Sequence, residues 1–173
     1  MFRIIIFVVA VFCAWRWGDW QKLNRYYPTL LFSINCGLLY NVLLDNHLLW
    51  RYEPVPPLNN ILFNNEIIDL AVTFISFPAF AFTYLSNYPY GKKQYLYIIL
   101  WVIFLATIEL ITFKQNGISY HNGWNLGWSI VFDFAIFSFL RLHYIKPILA
   151  WFFSLILIIV IFIVFDISIK EIY

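Results

Sequence analysis

The feature that most constrains this chain is a series of long apolar stretches separated by short breaks. A transmembrane helix needs about 20 predominantly apolar residues, with a range of roughly 17–25. The apolar runs cover residues 2–15, 29–44, 67–85, 95–113, 126–140 and 148–165. Turn-forming residues separate several of them, at 87–91, 114–117 and 146–147. This pattern predicts an all-α integral membrane protein with about six transmembrane helices, in a single domain over residues 1–173.

The composition excludes the main alternatives to a membrane protein. The chain is 63% hydrophobic and 12% charged, against about 45–50% and about 25% in average globular proteins. A soluble domain would lack the polar residues to cover its surface, and a disordered chain would need far more of them. The formal net charge of +2 is too small to indicate binding to nucleic acid.

The first apolar run is short and has two interpretations. Arg3 ahead of an apolar stretch is typical of a cleaved signal peptide, but no small-residue cleavage pattern follows. The run ends instead at the bulky residues Trp15, Arg16 and Trp17. We therefore predict a retained helix, and a total of five spanning helices if this run does not cross the membrane. The second run is entered through Pro28, which suits a first helical turn.

The lysines and arginines are distributed unevenly between the two sets of breaks. The first, third and fifth breaks hold seven of them, namely Arg16, Lys22, Arg25, Lys92, Lys93, Arg141 and Lys146. The opposite side holds four, namely Arg3, Arg51, Lys114 and Lys170. The positive-inside rule therefore predicts that the first set faces the cytoplasm and that both termini lie outside.

Acidic residues inside the apolar runs require an explanation, structural or functional, because each costs about 2.5–3.5 kcal/mol at a helix centre. Asp69, Glu109 and Asp133 lie within runs, and Asp45 and Glu66 lie at run edges. In the predicted orientation all five fall in the outer half of the membrane. At 1.5 Å per residue, Asp133 is roughly 10 Å from the outer end of its helix.

Polar residues also recur at helical spacing, which predicts how the helices assemble. Ser33, Gly37, Asn41 and Asp45 follow one another at i+4 on the second run and form one face. Such faces occur on the second to fifth runs, which predicts an inner bundle of those helices with the first and sixth toward lipid. The predicted outward-facing polar pocket is formed by Asn41, Asp45, Glu66, Asp69, Glu109 and Asp133.

Loop residues on the same side are predicted to surround the mouth of that pocket. They are His47, Tyr120, His121 and Trp124. Asn122 and Gly123 predict a turn, after which Trp124 and Trp128 either anchor the fifth helix at the membrane interface or cover the pocket. We weigh this pocket against a structural interpretation, which we favour, in which the acids only tie helices together through hydrogen bonds. Metal-ligand spacing is absent, so we predict no metal, cofactor or catalytic residue.

Several segments resemble a known family. The segments are residues 46–57 and 120–124, together with the Tyr-Tyr-Pro that ends at Pro28, Pro78, Tyr88-Pro89 and Glu109. They are similar to a family of small multi-pass membrane proteins from spore-forming Firmicutes, over roughly residues 15–143. The resemblance implies a bacterial cytoplasmic membrane and no particular activity. It also implies that Glu109 and the 120–124 loop are features shared with that family.

Three functions fit these observations. The prediction is a non-enzymatic membrane component with an assembly, sensing or structural role, surrounded by lipid. A membrane-protein partner could pack on the face of Ala10 and Ala14, since small residues four apart let helices approach closely. The alternative is binding or transport of a small solute or cation in the polar pocket. An enzyme acting on lipid, with Glu109 or Asp133 as general acid or base, lacks an identifiable nucleophile.

Overall fold

Six long helices account for most of the chain. A computed structural model describes residues 2–54 and 65–168, apart from the side chains of Phe2 and Arg3. The helices are α1 (Phe2–Trp17), α2 (Leu23–Leu43), α3 (Asn65–Ser86), α4 (Lys93–Lys114), α5 (Leu126–Ile145) and α6 (Pro147–Val164). The structure is mostly helical, at 77%. Residues 55–57 of the family resemblance and Lys170 of the charge count lie outside the described residues.

Fewer helices than the six predicted are both long and apolar enough to cross a membrane. Within the described residues, α3, α4, α5 and α6 are the four that are long and apolar enough to cross a membrane. The number rises to five if α1 and α2 form one span, although the two are bent by 86° where they join. The 16-residue α1 is too short to qualify alone.

The junction between α1 and α2 is a tight turn held against the end of α3. The Gly18 amide donates to the Ala14 carbonyl (3.0 Å), and the Asp19 amide donates to Ser86 Oγ (3.0 Å). A β-carbon on Gly18 would overlap the Phe82 ring and the Ala14 carbonyl. The turn therefore requires glycine because of this close approach.

Helix α2 begins six residues earlier than the predicted run, at Leu23 rather than at residue 29. Pro28 consequently lies inside the helix and not in its first turn, where it removes one backbone donor. The extension is stabilised by tertiary contacts of Tyr26, which is buried against Phe82 and stacks on Tyr144 (centroids 5.3 Å apart). A local apolar pattern cannot reveal such contacts.

Helix α3 contains a π-helical segment, Val72–Ser76, just before Pro78. The Phe77 amide donates to the Val72 carbonyl, which is the i→i−5 bond of a π-helix. Because Pro78 has no N–H and its ring crowds the preceding turn, the wider segment accommodates it. The wider turn also presents Thr73 and Ser76 to the interior of the bundle.

Helices α2, α3 and α5 form the centre of the bundle, while α4 and α6 are largely exposed. In α3, 44% of the residues in the apolar window are buried and in α5 28%, against 11% in both α4 and α6. Helix α4 belongs with the inner helices by one face only, which brings Glu109 and Thr112 to the cavity wall, and the rest of its surface is as exposed as that of α6. At the core, the fully buried Tyr84 donates to the Phe137 carbonyl (3.0 Å).

The small-residue face of α1 is occupied within the chain itself. Ala10 is completely buried and Ala14 is 7% exposed, where α1 lies along α3. The predicted contact of this face with a partner protein therefore has no open surface in this structure. The exposed side of α1 carries large apolar residues instead, among them Val8 and Trp15.

A short two-stranded antiparallel sheet pairs two segments that are distant in sequence. Strand β1 (Trp50–Tyr52) follows α2 and strand β2 (Ile118–Tyr120) follows α4, with Trp50 opposite Tyr120. The Tyr40 hydroxyl joins α2 to β1, because it donates to the Trp50 carbonyl (2.8 Å) and accepts from the Trp50 amide (3.0 Å). The pair covers the end of the bundle where α2 and α4 finish and α5 begins.

Candidate functional site

A cavity of about 310 Å³ lies between the helices. This volume is at the lower end of the range for small-molecule pockets, about 300–1,000 Å³. All six helices and both strands contribute to its wall, which is mostly apolar. Its serine, threonine, asparagine and acidic residues are Ser33, Asn41, Asp69, Thr73, Ser76, Glu109, Thr112, Ser129, Asp133 and Ser154.

Four of the six predicted pocket residues lie in this wall. Asn41, Asp69, Glu109 and Asp133 come from four different helices and line one cavity. Asp45 and Glu66 do not line it, and both are exposed. Asp45 lies in the turn after α2, where the i+4 face no longer points inward, and Glu66 lies in the first turn of α3.

The predicted mouth residues separate into two groups. Trp124 is 6% exposed, lines the cavity and donates from Nε1 to Ser129 Oγ (2.9 Å). It is therefore part of the wall rather than an interfacial anchor, whereas Trp128 is partly exposed. His47, Tyr120 and His121 are not among the wall residues.

The other loop residues form hydrogen bonds in and beside the two-stranded sheet. His121 is exposed, and its Nε2 lies 2.9 Å from Ser119 Oγ, which donates to Glu53 Oε1 (2.9 Å). The His47 amide donates to the Leu44 carbonyl (3.1 Å) in the turn after α2. The predicted turn at residues 122–123 is confirmed, since Asn122 and Gly123 both adopt positive φ angles (49° and 83°).

Glu109 is the acceptor at the centre of a hydrogen-bond network. Its Oε1 accepts from Tyr120 (2.6 Å) and from Ser129 (2.5 Å), and Ser129 in turn accepts from Trp124. Burial raises the pKa of the Tyr120 phenol, and the hydrogen bond to Glu109 raises it further. Tyr120 therefore keeps its proton and acts as the donor. The network joins α4, β2 and α5 at one side of the cavity.

Asp133 has a different environment from Glu109, although both lie in the same wall. It is 8% exposed, and its Oδ2 is buried without a hydrogen-bond partner among the described residues. The hydroxyls of Ser76 and Ser154, which also line the cavity, are buried and unpartnered in the same way. Since buried polar groups are nearly always hydrogen-bonded, three such atoms around one cavity indicate a missing partner.

The charged residue types that line the cavity are all acidic in the described part of the chain. Asp69, Glu109 and Asp133 are acidic, and no lysine, arginine or histidine side chain lines the cavity in the part of the chain that is described. Among those same residues, no group of three or more histidine, cysteine, aspartate or glutamate side chains is placed to hold a metal ion. The cavity therefore offers dispersed acceptors in an apolar chamber, which suits an organic molecule better than a bare metal.

Sequence reasoning does not single out two polar residues of the core. Ser154 is the only hydroxyl-bearing residue in α6, and its isolation in an apolar run was the available signal. His143 is buried, with Nδ1 3.0 Å from Thr29 Oγ1 and its ring stacked on Phe32 (centroids 4.3 Å apart). Thr29 and His143 are far apart in sequence, so no local pattern pairs them.

Comparison with protein-family models, with curated protein sequences and with solved structures finds no match to this chain. The family resemblance of the sequence therefore stays a prediction.

Proposed function

We propose that the protein is a non-enzymatic, multi-pass protein of a bacterial cytoplasmic membrane whose cavity binds a small organic cation with an apolar body. The observation that carries this proposal is the Asp133 carboxyl group, which among the described residues has an unpartnered Oδ2 and lines an apolar cavity without basic side chains. An assembly or sensing role, predicted from the sequence, is compatible with such binding.

The chemistry of the ligand is inferred from what the wall lacks. A primary ammonium group carries three donors and no acceptor, and it would supply a hydrogen bond and a charge to Asp133. Further donors could reach the unpartnered hydroxyls of Ser76 and Ser154. The remaining wall is apolar and aromatic, which favours a hydrocarbon body over a hydrated ion.

The membrane topology that we propose has five crossings, by α2 to α6. Helix α2 runs from the contact of Tyr26 with Phe82 near the end of α3 to the contact of Tyr40 with β1, so it extends between the two ends of the bundle. Helix α1 then lies along α3 from the basic end. The seven basic residues of the first, third and fifth breaks flank that end of the helices. The positive-inside rule supports a cytoplasmic location for this basic end and an outer location for the two-stranded sheet.

Binding can be tested on the full-length protein in a neutral detergent. The probes are hexylamine, which is cationic at neutral pH, and hexanol, its uncharged counterpart. Trp50, Trp124 and Trp151 line the cavity, so intrinsic fluorescence reports occupancy and calorimetry gives the affinity. We expect hexylamine to bind, and Asp133→Asn to weaken it about tenfold or more, the value of one charge-assisted hydrogen bond.

A matched variant separates the cavity from general electrostatics. Asp45→Asn removes the same charge from an exposed position at the same end of the bundle and outside the cavity wall. We expect its affinity for hexylamine to equal that of the unaltered protein. Equal weakening by both variants, or equal binding of hexanol and hexylamine, would contradict the proposal.

A further inference from the structure

A group of arginine and tyrosine side chains lies at the opposite end of the bundle from the two-stranded sheet, outside the cavity wall. Arg141, near the end of α5, has its guanidinium carbon 4.3 Å from the Tyr88 ring centroid and 5.4 Å from that of Tyr144. Arg25, near the start of α2, lies 5.2 Å from the centroid of the same Tyr144 ring. One tyrosine thus positions two guanidinium groups from different helices.

These two guanidinium groups lack the partner that such groups usually have. In the described part of the chain, the single ion pair joins Lys22 to Asp19 (2.8 Å), and neither arginine has a carboxylate or a hydrogen-bond acceptor. Both guanidinium groups lie beside the same Tyr144 ring, so the two positive charges are close together and repel each other. An anion between them would relieve that repulsion.

The geometry selects the kind of anion. A guanidinium group presents a planar fork of donors that matches the oxygens of a phosphate group, and stacking on tyrosine orients the fork in advance. The aromatic residues around this end support a position at headgroup depth. Trp17 and Trp20 are about half exposed here, as interfacial tryptophans are.

We infer that Arg25 and Arg141, oriented by Tyr144, form a binding site for a phosphate oxyanion at the basic end of the bundle. None of Arg25, Arg141 and Tyr144 lines the cavity, and Tyr144 lies eleven residues beyond Asp133, about 16 Å along α5. The oxyanion can belong to the headgroup of an anionic lipid or to a free phosphate.

Native mass spectrometry of the full chain, released from a neutral detergent, tests the site with two probes. The probes are phosphatidylglycerol and inorganic phosphate, each titrated separately. We expect Arg25→Gln and Arg141→Gln each to weaken binding about tenfold, since each removes a charge-assisted hydrogen-bonding group. Dependence on both arginines with the lipid alone assigns a headgroup site, and the same dependence with inorganic phosphate assigns a free-phosphate site.

The control is Lys93→Gln, which removes one charge at the same end from an exposed side chain. We expect it to change the affinity less than twofold. Equal losses in all three variants would reduce the effect to net charge and overturn the site, as would unchanged binding in both arginine variants. Arg25 is exposed, so its substitution leaves the packing intact and keeps the test valid if Arg141→Gln fails to fold.

Discussion

Replacing Asp133 with leucine should stabilise this protein, although it removes a charged residue from a buried position. The carboxylate is 8% exposed, and its Oδ2 has no hydrogen-bond partner in the described chain. Leaving a buried polar group unpaired costs about 1–3 kcal/mol, and an apolar side chain at the same position carries no such cost. Leucine would also extend into the adjacent cavity of about 310 Å³ and bury additional apolar surface.

The comparison with Glu109→Leu gives this prediction its control. Glu109 accepts hydrogen bonds from Tyr120 and Ser129, so leucine there leaves both donors unpaired and should destabilise the protein by about 1–3 kcal/mol. Each kcal/mol should shift the melting temperature by about 2–4 °C in a chain of this length. The shifts should have opposite signs, upward for Asp133→Leu and downward for Glu109→Leu.

Thermal unfolding in detergent, followed by tryptophan fluorescence, measures both shifts in the same buffer. The chain has eight tryptophans, three of which line the cavity. A melting temperature that falls equally in the two variants would refute the reasoning, because it would mean that Asp133 ties helices together as Glu109 does. A stabilised Asp133→Leu protein that no longer binds hexylamine would show that the loss of binding is not a loss of folding.

Two further predictions address the bend between α1 and α2 and the topology. Gly18→Ala should lower the free energy of unfolding by about 1–3 kcal/mol, the usual cost of overpacking, because its β-carbon would overlap the Phe82 ring and a backbone oxygen; a melting temperature equal to that of the unaltered protein would contradict the tight turn. In intact cells, a membrane-impermeant maleimide should label Asp45→Cys and should label Lys92→Cys only after permeabilisation, since both positions are exposed at opposite ends of the bundle; the reverse pattern would invert the proposed orientation.

The positions of the helices follow from the sequence because apolar runs of membrane-crossing length leave little choice. Five of the six predicted runs begin within two residues of the helix in the structure, and α2 is the exception. The convergence of Asn41, Asp69, Glu109 and Asp133 was also predictable, since polar residues in apolar helices avoid lipid and face one another. Both inferences use only local spacing.

Features that depend on contacts between distant segments could not be predicted in this way. The two-stranded sheet pairs residues 50–52 with 118–120, and three residues in each strand are too few for an alternating pattern to be distinctive. The same holds for the buried contact between Thr29 and His143. The 86° bend at Gly18 requires the position of the Phe82 ring, which belongs to α3.

Glu109 and Asp133 illustrate why the sequence left two interpretations of the acids open. Each is an acidic residue within an apolar run, about two helical turns or less from the end of its helix that lies near the two-stranded sheet. The difference arises from what the rest of the fold brings to them: β2 and α5 supply two donors to Glu109, whereas no described residue donates a hydrogen bond to Asp133 Oδ2. The structural interpretation therefore fits Glu109 and the pocket interpretation fits Asp133. The network that satisfies Glu109 also holds Trp124 in the cavity wall, so Glu109 shapes the chamber that Asp133 lines.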